Sequence, residues 1–304
     1  MKKRNYNAYG YWFILPFFLV FLVFTAYPIL NTLFDSFTND SFSNFGTPAF
    51  VGLKNYANEI TSSLFWKSFF NTWIIWIPNI VTQMTLALLL AALFTNYELN
   101  IKGKGIFRAI FFFPNIITIT TIAILVYVLF DWQSGAINQI FFGPDKKEYI
   151  NWFGKGFVIQ MIIGGVQTWI WFGYTAIMLM AGIQAMPKEM FEAALIDGAS
   201  GSKIFFRIIL PFIRPILAYV AVTSIIGGMQ MFDLPWVMFP GGQGGADQGG
   251  ITMTVYMYAR AFSWDQNLGG GSAVAWIMFA LIAIFSILYL RIAYGKRSSD
   301  EGVN

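Results

Sequence analysis

Charged residues leave six long gaps along the chain. The charge-free, mainly apolar windows are Tyr11–Phe34, Ser68–Tyr97, Ala109–Phe130, Gly156–Pro187, a segment from Ile208 to Phe232 with Arg214 at its edge, and Ser272–Leu290. An α-helix needs about 20 apolar residues to cross a bilayer, so each window predicts one spanning helix. Several hold Pro or Gly, which spanning helices tolerate better than soluble ones. The pattern predicts an all-α membrane protein, with one transmembrane domain of about six helices over residues 1–304. The first window follows Met1-Lys2-Lys3-Arg4 and resembles a signal peptide. It is longer than an h-region of about 7–15 residues and no A-x-A-like site follows it, so an uncleaved first span is expected.

Composition agrees with lipid as the solvent. Of 304 residues, 57% are hydrophobic and 11% charged, and mean hydropathy is +0.60. Soluble domains carry roughly 25% charge. There is no cysteine, which excludes disulfides and thiolate metal sites. There is no histidine either, which removes imidazole zinc ligands, Ser-His-Asp triads and the usual proton shuttle.

The net charge of +4 speaks about orientation, not nucleic acid. Six spans put both termini on one side. Placing the termini and even-numbered loops in the cytoplasm collects Lys2, Lys3, Arg4, Lys102, Lys104, Arg108, Lys188, Lys203, Arg207, Arg214, Arg291, Lys296 and Arg297 there. Only Lys54, Lys67, Lys146, Lys147, Lys155 and Arg260 fall outside. The positive-inside rule then predicts cytoplasmic termini. The long extracytoplasmic segments are Asp35–Lys67, Asp131–Lys155 and Asp233–Gly271. The last holds a glycine-rich run, 241–250, which reads as a flexible loop or as a loop contacting a partner outside the membrane.

The segment 187–207, between the fourth and fifth spans, is more than a connector. Pro187 suits the first position of a helix, and Lys188 to Ile196 are mostly good helix formers. Asp197-Gly198 signals a stop, and a second helical stretch runs from Ser202 to Leu210. Phe191, Ala194, Leu195 and Gly198 fall on one face. Ala193, Ala194, Gly198 and Ala199 are small enough to admit another backbone. A helix lying on the membrane surface and a helix docking a partner both fit this pattern.

Glu192-Ala193-Ala194-Leu195-Ile196-Asp197-Gly198-Ala199, followed by Phe206, Ile208, Leu210 and Pro211, resembles the EAA motif of binding-protein-dependent ABC importer permeases. Leu15-Pro16, Tyr27-Pro28 and Phe50-Val51-Gly52-Leu53-Lys54-Asn55-Tyr56 resemble the sugar-importer, maltose-permease-like branch. The resemblance covers nearly the whole chain. It implies a permease subunit in a bacterial inner membrane, forming half of the pathway for a carbohydrate, with an oligosaccharide expected. The expected partners are a second homologous permease, a cytoplasmic ATPase dimer and an extracytoplasmic solute-binding protein. Residues 187–207 would form a cytoplasmic coupling helix, with Glu192, Ala193, Ala194, Asp197, Gly198 and Ala199 meeting the ATPase. Glu192 would be the docking charge and Gly198 the turn. The chain is not expected to be an enzyme or to bind a cofactor itself; ATP and Mg would sit on the partner ATPase. No G-x-x-x-x-G-K-[ST] occurs, and Gly198 to Lys203 has the wrong spacing.

The spans hold almost no formal charge, which argues against a proton-coupled carrier and favours a neutral sugar. Two stripes are candidate contacts. Gln167, Trp171 and Tyr174 share one face of the fourth span, offering an amide and flat rings with polar tips. Ser224, Gly228 and Met231 do so on the fifth, with Gln230 beside them. By register from the EAA motif, both stripes match positions lining the sugar site of the maltose-type permease, although Gly228 and Met231 replace amides there. Interface aromatics and close glycine packing explain the same residues without a substrate. Two other classes remain: an ATPase-independent secondary carrier or channel, and a membrane enzyme, for which the spans hold little chemistry.

Overall fold

A computed structural model describes residues 7–44, 47–95, 99, 101–143 and 148–294. Among these the only extended pairing is one isolated antiparallel bridge, Thr38 to Phe50; nearly everything else is helical. Among the described residues, five helices are long and apolar enough to cross a membrane: span 1 (Gly10–Asp35), span 2 (Ser63–Thr95), span 4 (Gly156–Gln184), span 5 (Arg214–Met238) and span 6 (Leu268–Ala293). Lys104–Ile116 and Ile119–Leu129 pass the same test only as a bent pair, which counts as a sixth if the two halves are one span; they are called span 3.

Span 3 corrects the expectation of a continuous helix over 109–130. Its halves bend by 88°. Ile117 and Thr118 are extended, with ψ of 138° and 136°, and the Thr118 hydroxyl caps the second half by accepting from the Thr121 N–H. Pro114 lacks the N–H that would tie it to the preceding turn. The β-branched run from Ile116 to Ile122 is a poor helix former. Apolar content alone does not report such a break. The fifth span also starts later than Ile208: Phe205–Ile209 is a π turn, and the span begins at Arg214 after Ile213 departs from helical geometry.

The chain divides into two compact units, Met1–Phe65 with Met257–Phe279, and Trp66–Tyr256 with Ala280–Asn304. In the first, the Val51-Gly52-Leu53-Lys54-Asn55-Tyr56 segment acquires a structural meaning. The buried Asn55 amide donates to the carbonyls of Ser36 (2.9 Å) and Thr38 (2.6 Å), and the Tyr56 hydroxyl meets the Ser36 hydroxyl at 2.8 Å. These bonds fix the chain leaving span 1. Glu59, fully buried, accepts from Arg260 Nε at 3.0 Å, and Arg260 also pairs with Asp265.

In the second unit, spans 2 and 4 are joined by polar side chains. Gln160 donates to Asn71 (2.8 Å), Asn79 donates to Thr168 (3.1 Å) and to the Gly164 carbonyl (3.3 Å), and Gln83 donates to Thr175 (2.7 Å). All six side chains are buried. Two apolar cores flank them. One gathers Ile75, Ile122, Val126, Ile159, Ile163 and Leu234. The other gathers Ala87, Ala91, Phe94, Leu179, Met180, Ile183 and Ile213.

The glycine-rich run differs from the flexible-loop reading. Asn71 donates to the carbonyls of Gln248 and Ile251, and Asp247 accepts from the Gly156 N–H at 3.0 Å. Gly244, Gly249 and Gly250 are buried, and a Cβ on Gly249 would collide with the Gly156 backbone. The run is therefore packed onto the start of span 4.

Candidate functional site

A cavity of about 390 Å³ opens among spans 2, 4 and 5 of the second unit. Span 4 supplies Gln167, Trp171, Tyr174 and Thr175. The Trp171 indole N–H donates to Gln167 at 3.2 Å, across one helical turn. The rings of Trp171 and Tyr174 meet edge to face, 6.0 Å apart. Span 5 supplies Thr223, Ser224, Gly228, Gln230 and Met231. All seven candidate contacts, the two stripes and Gln230 beside the second, therefore line one cavity.

Span 5 is interrupted there. Gln230 ends its regular first part, and Phe232 has φ −128° and ψ −59° before Asp233–Met238 resumes. Irregular backbone at membrane depth persists only where its polar groups are satisfied or face a cavity. Here Thr252 donates to the Met231 carbonyl (2.6 Å) and Thr254 to the Met229 carbonyl (3.1 Å).

Three lining residues of span 2 escaped the sequence reading: Trp76, Asn79 and Gln83. Trp76 donates its indole N–H to the Ser224 carbonyl at 2.9 Å and lies over Gly228. Asn79 and Gln83 spend their amide N–H groups on span 4, at Thr168 and Thr175. The available signal was polar, uncharged residues recurring every fourth or eighth position of an apolar window, at 71, 79 and 83; attention to formal charge alone passes over them. Among the described residues, Asp233 is the single charged one in the lining, and no Lys or Arg joins it.

The helix between spans 4 and 5 forms as expected, Lys188–Ile196. Pro187 stands just before its first residue, not in it, with ψ 135°. Gly198 adopts φ +70°, its N–H donates to the Leu195 carbonyl (3.0 Å), and the Ala199 N–H donates to the Ala194 carbonyl (3.0 Å). This pair of bonds is the Schellman ending, in which a left-handed residue closes the helix. The expected single face is only half right. Phe191 and Ala194 are buried in the core with Ala87, Phe94 and Ile183, whereas Leu195 is 51% exposed and Gly198 is open. Ala194 consequently faces inward. Glu192, Ala193, Ile196 and Asp197 point away from the protein, and Ala199 is half-buried. The outward surface combines carboxylates with an apolar residue, Ile196, that is 86% exposed.

Comparison with known proteins places this arrangement. The chain is 31% identical to the arabinooligosaccharides transport system permease protein of Bacillus subtilis, covering 94% of this chain and 89% of that one. It is 30% identical to the trehalose/maltose transport system permease protein of Thermococcus litoralis, covering 95% and 94%. A crystal structure of a bacterial ABC transporter involved in the import of alginate has the same fold, with TM-score 0.79, 19% identity and coverage of 95% and 96%. Residues 83–297, which hold the span 4 and span 5 walls of the cavity, the interrupted span 5 and the Schellman-capped helix, match the model of one family. The chain belongs to the binding-protein-dependent transport system inner membrane components.

Proposed function

We propose that this chain is the permease subunit of an ATP-driven importer and forms half of the pathway for a neutral carbohydrate, probing its cargo in the cavity among spans 2, 4 and 5. One observation carries this reading: Gln167, Trp171, Tyr174, Ser224, Gly228, Gln230 and Met231 converge on a single cavity. Its walls combine flat aromatic faces with amides and hydroxyls, the set that suits a ring with an apolar face and hydroxyl edges. The volume lies at the small end of the ligand-site range, roughly 300–1,000 Å³. The two relatives above, named for arabinooligosaccharides and for trehalose and maltose, support the carbohydrate class. A lining with one carboxylate and no cation fits a neutral sugar better than an acidic polymer such as alginate.

Energy enters through Lys188–Ile196. Glu192, Ala193, Asp197 and Gly198 present the surface that a cytoplasmic ATPase dimer grips, with Ala194 and Ala199 holding the helix on its own core. ATP and Mg²⁺ act on that partner. A second homologous permease completes the pathway, and an extracytoplasmic solute-binding protein delivers the sugar. The chain crosses a bacterial inner membrane several times, with cytoplasmic termini.

The test is uptake of labelled maltose, trehalose and arabinotriose by proteoliposomes holding the chain with its co-purified subunits. ATP inside the complex's cytoplasmic face must drive uptake, and ion gradients must not. Uptake by the chain alone along an ion gradient refutes the importer reading. ATP-driven uptake of amino acids in place of all three sugars refutes the carbohydrate class alone.

A further inference from the structure

The Trp76 indole stands in the wall of the cavity, between Gly228 and Trp73. We propose that Trp76 determines which sugar the cavity accepts, its indole seated in the space that Gly228 leaves vacant. This rests on the carbohydrate reading and names the residue that sets its selectivity.

Gly228 is buried, and a Cβ there would overlap the indole of Trp76, falling 2.6 Å from its Cγ. Any residue but glycine would therefore evict the ring. Two interactions fix the ring in that seat. Its N–H is spent on the Ser224 carbonyl at 2.9 Å, with the Ser224 hydroxyl at 3.3 Å. Behind it, Trp73 meets it edge to face at 5.4 Å, and Trp73 is itself backed by Phe285 at 4.7 Å. An indole anchored in this way loses little freedom when a ligand arrives, which is the condition for a contact to favour binding.

Trp76 is only half-buried and lines the cavity. With its N–H already engaged, what it offers a ligand is ring surface. Trp171 and Tyr174 supply ring surface from span 4. A pyranose or furanose admitted here meets aromatic faces from two different helices, so its ring shape and linkage, more than any single hydroxyl, decide whether it fits. Adjacent Gly227 has open space around it, so the requirement for glycine is local to position 228.

The test uses the complete transporter in proteoliposomes and the three probes maltose, trehalose and arabinotriose. Trp76→Leu removes the ring and is expected to raise KM at least tenfold for the preferred sugar, to change the order of preference, and to leave the maximal rate within about twofold. Trp76→Phe keeps a ring and is expected to keep the order. Gly228→Ala evicts the indole and should reproduce Trp76→Leu; in the Trp76→Leu background it should add nothing, because the Cβ then has room. A purely structural role moves assembly and rate together and leaves the order unchanged. Should Trp76→Leu fail to assemble, Gly228→Ala and Trp76→Phe give the same comparison. An unchanged order of preference in assembled Trp76→Leu or Gly228→Ala overturns the assignment of Trp76. A wild-type transporter that carries none of the three sugars overturns the carbohydrate reading, and this inference with it.

Discussion

Gly173 sits on span 4, one residue before Tyr174, where the first half of span 3 crosses it. A Cβ at 173 would fall on the carbonyl oxygen of Phe111, far inside contact distance, and 3.0 Å from the Phe112 nitrogen. The obstacle is backbone within a helix, so no rotamer change relieves it. A carbon–oxygen approach needs roughly 3.3 Å, so Gly173→Ala must push Lys104–Ile116 away by about 1.5 Å. A gap of 0.5–1 Å already forfeits a quarter to a half of a dispersion contact, and the Phe111–Phe172 ring pair lies at this crossing. Overpacking typically costs about 1–3 kcal/mol, and a backbone obstacle belongs at the upper end. On helix propensity alone the same change would gain about 1 kcal/mol, so the sign separates the two effects. Gly165→Ala is the control on the same helix, because nothing lies within 4 Å of its Cβ. Thermal unfolding of the detergent-purified complex should drop by about 3–5 °C for Gly173→Ala and stay level or rise for Gly165→Ala, and uptake should fall only in the former. Equal midpoints and equal uptake in the two variants would refute the packing argument.

Four further outcomes follow from the geometry. Gln83→Leu with Thr175→Val, run as a double-mutant cycle on unfolding in detergent, should give a coupling of about 0.6–1.7 kcal/mol; zero coupling would mean the 2.7 Å bond contributes nothing beyond what the unfolded state recovers. Gly198→Pro cannot take φ +70° and lacks the N–H bonded to Leu195, so the ATPase subunit should no longer co-purify, while Gly198→Asn, which tolerates that conformation, should retain it. Glu192→Lys, on the exposed side of the helix, should shift stability by less than about 0.5 kcal/mol yet abolish ATP-driven uptake; normal uptake would remove Glu192 from the docking surface. Asp247→Ala strips the cap from the Gly156 N–H and should cost about 1 kcal/mol, measured as a lower unfolding midpoint.

Much of this was readable from residue order, and the reasons are local. Ala194-Leu195-Ile196-Asp197-Gly198-Ala199 encodes a helix stop because a left-handed Gly198 lets two N–H groups, its own and that of Ala199, reach the Leu195 and Ala194 carbonyls. Gln167, Trp171 and Tyr174 reach one cavity because helical spacing alone fixes their common face. Span 3 was misread because apolar content measures transfer from water and is blind to the two extended residues, Ile117 and Thr118. For the run 241–250, the flexible-loop alternative fails for the opposite reason. Its glycines signal freedom in isolation, but at Gly244 and Gly249 they mark places where a side chain would strike neighbouring atoms. Trp76 was out of reach because its role depends on Gly228, 152 positions away, lacking a side chain.

The polar contacts between spans 2 and 4 have a mechanical consequence. They occur at three heights, Asn71 to Gln160, Asn79 to Gly164 and Thr168, and Gln83 to Thr175. A slide of one residue, about 1.5 Å along either axis, would break all of them together, and a rotation would swing every donor off its acceptor. The two helices therefore behave as one stiff beam. Lys188–Ile196 follows Gln184 after a short turn, and its Phe191 is buried in one apolar core with residues of both members of the beam, Phe94 and Ile183 among them. A push on that short helix is not absorbed by bending on the way. It arrives at mid-length of the beam, where Trp76 and Trp171 stand on its two arms.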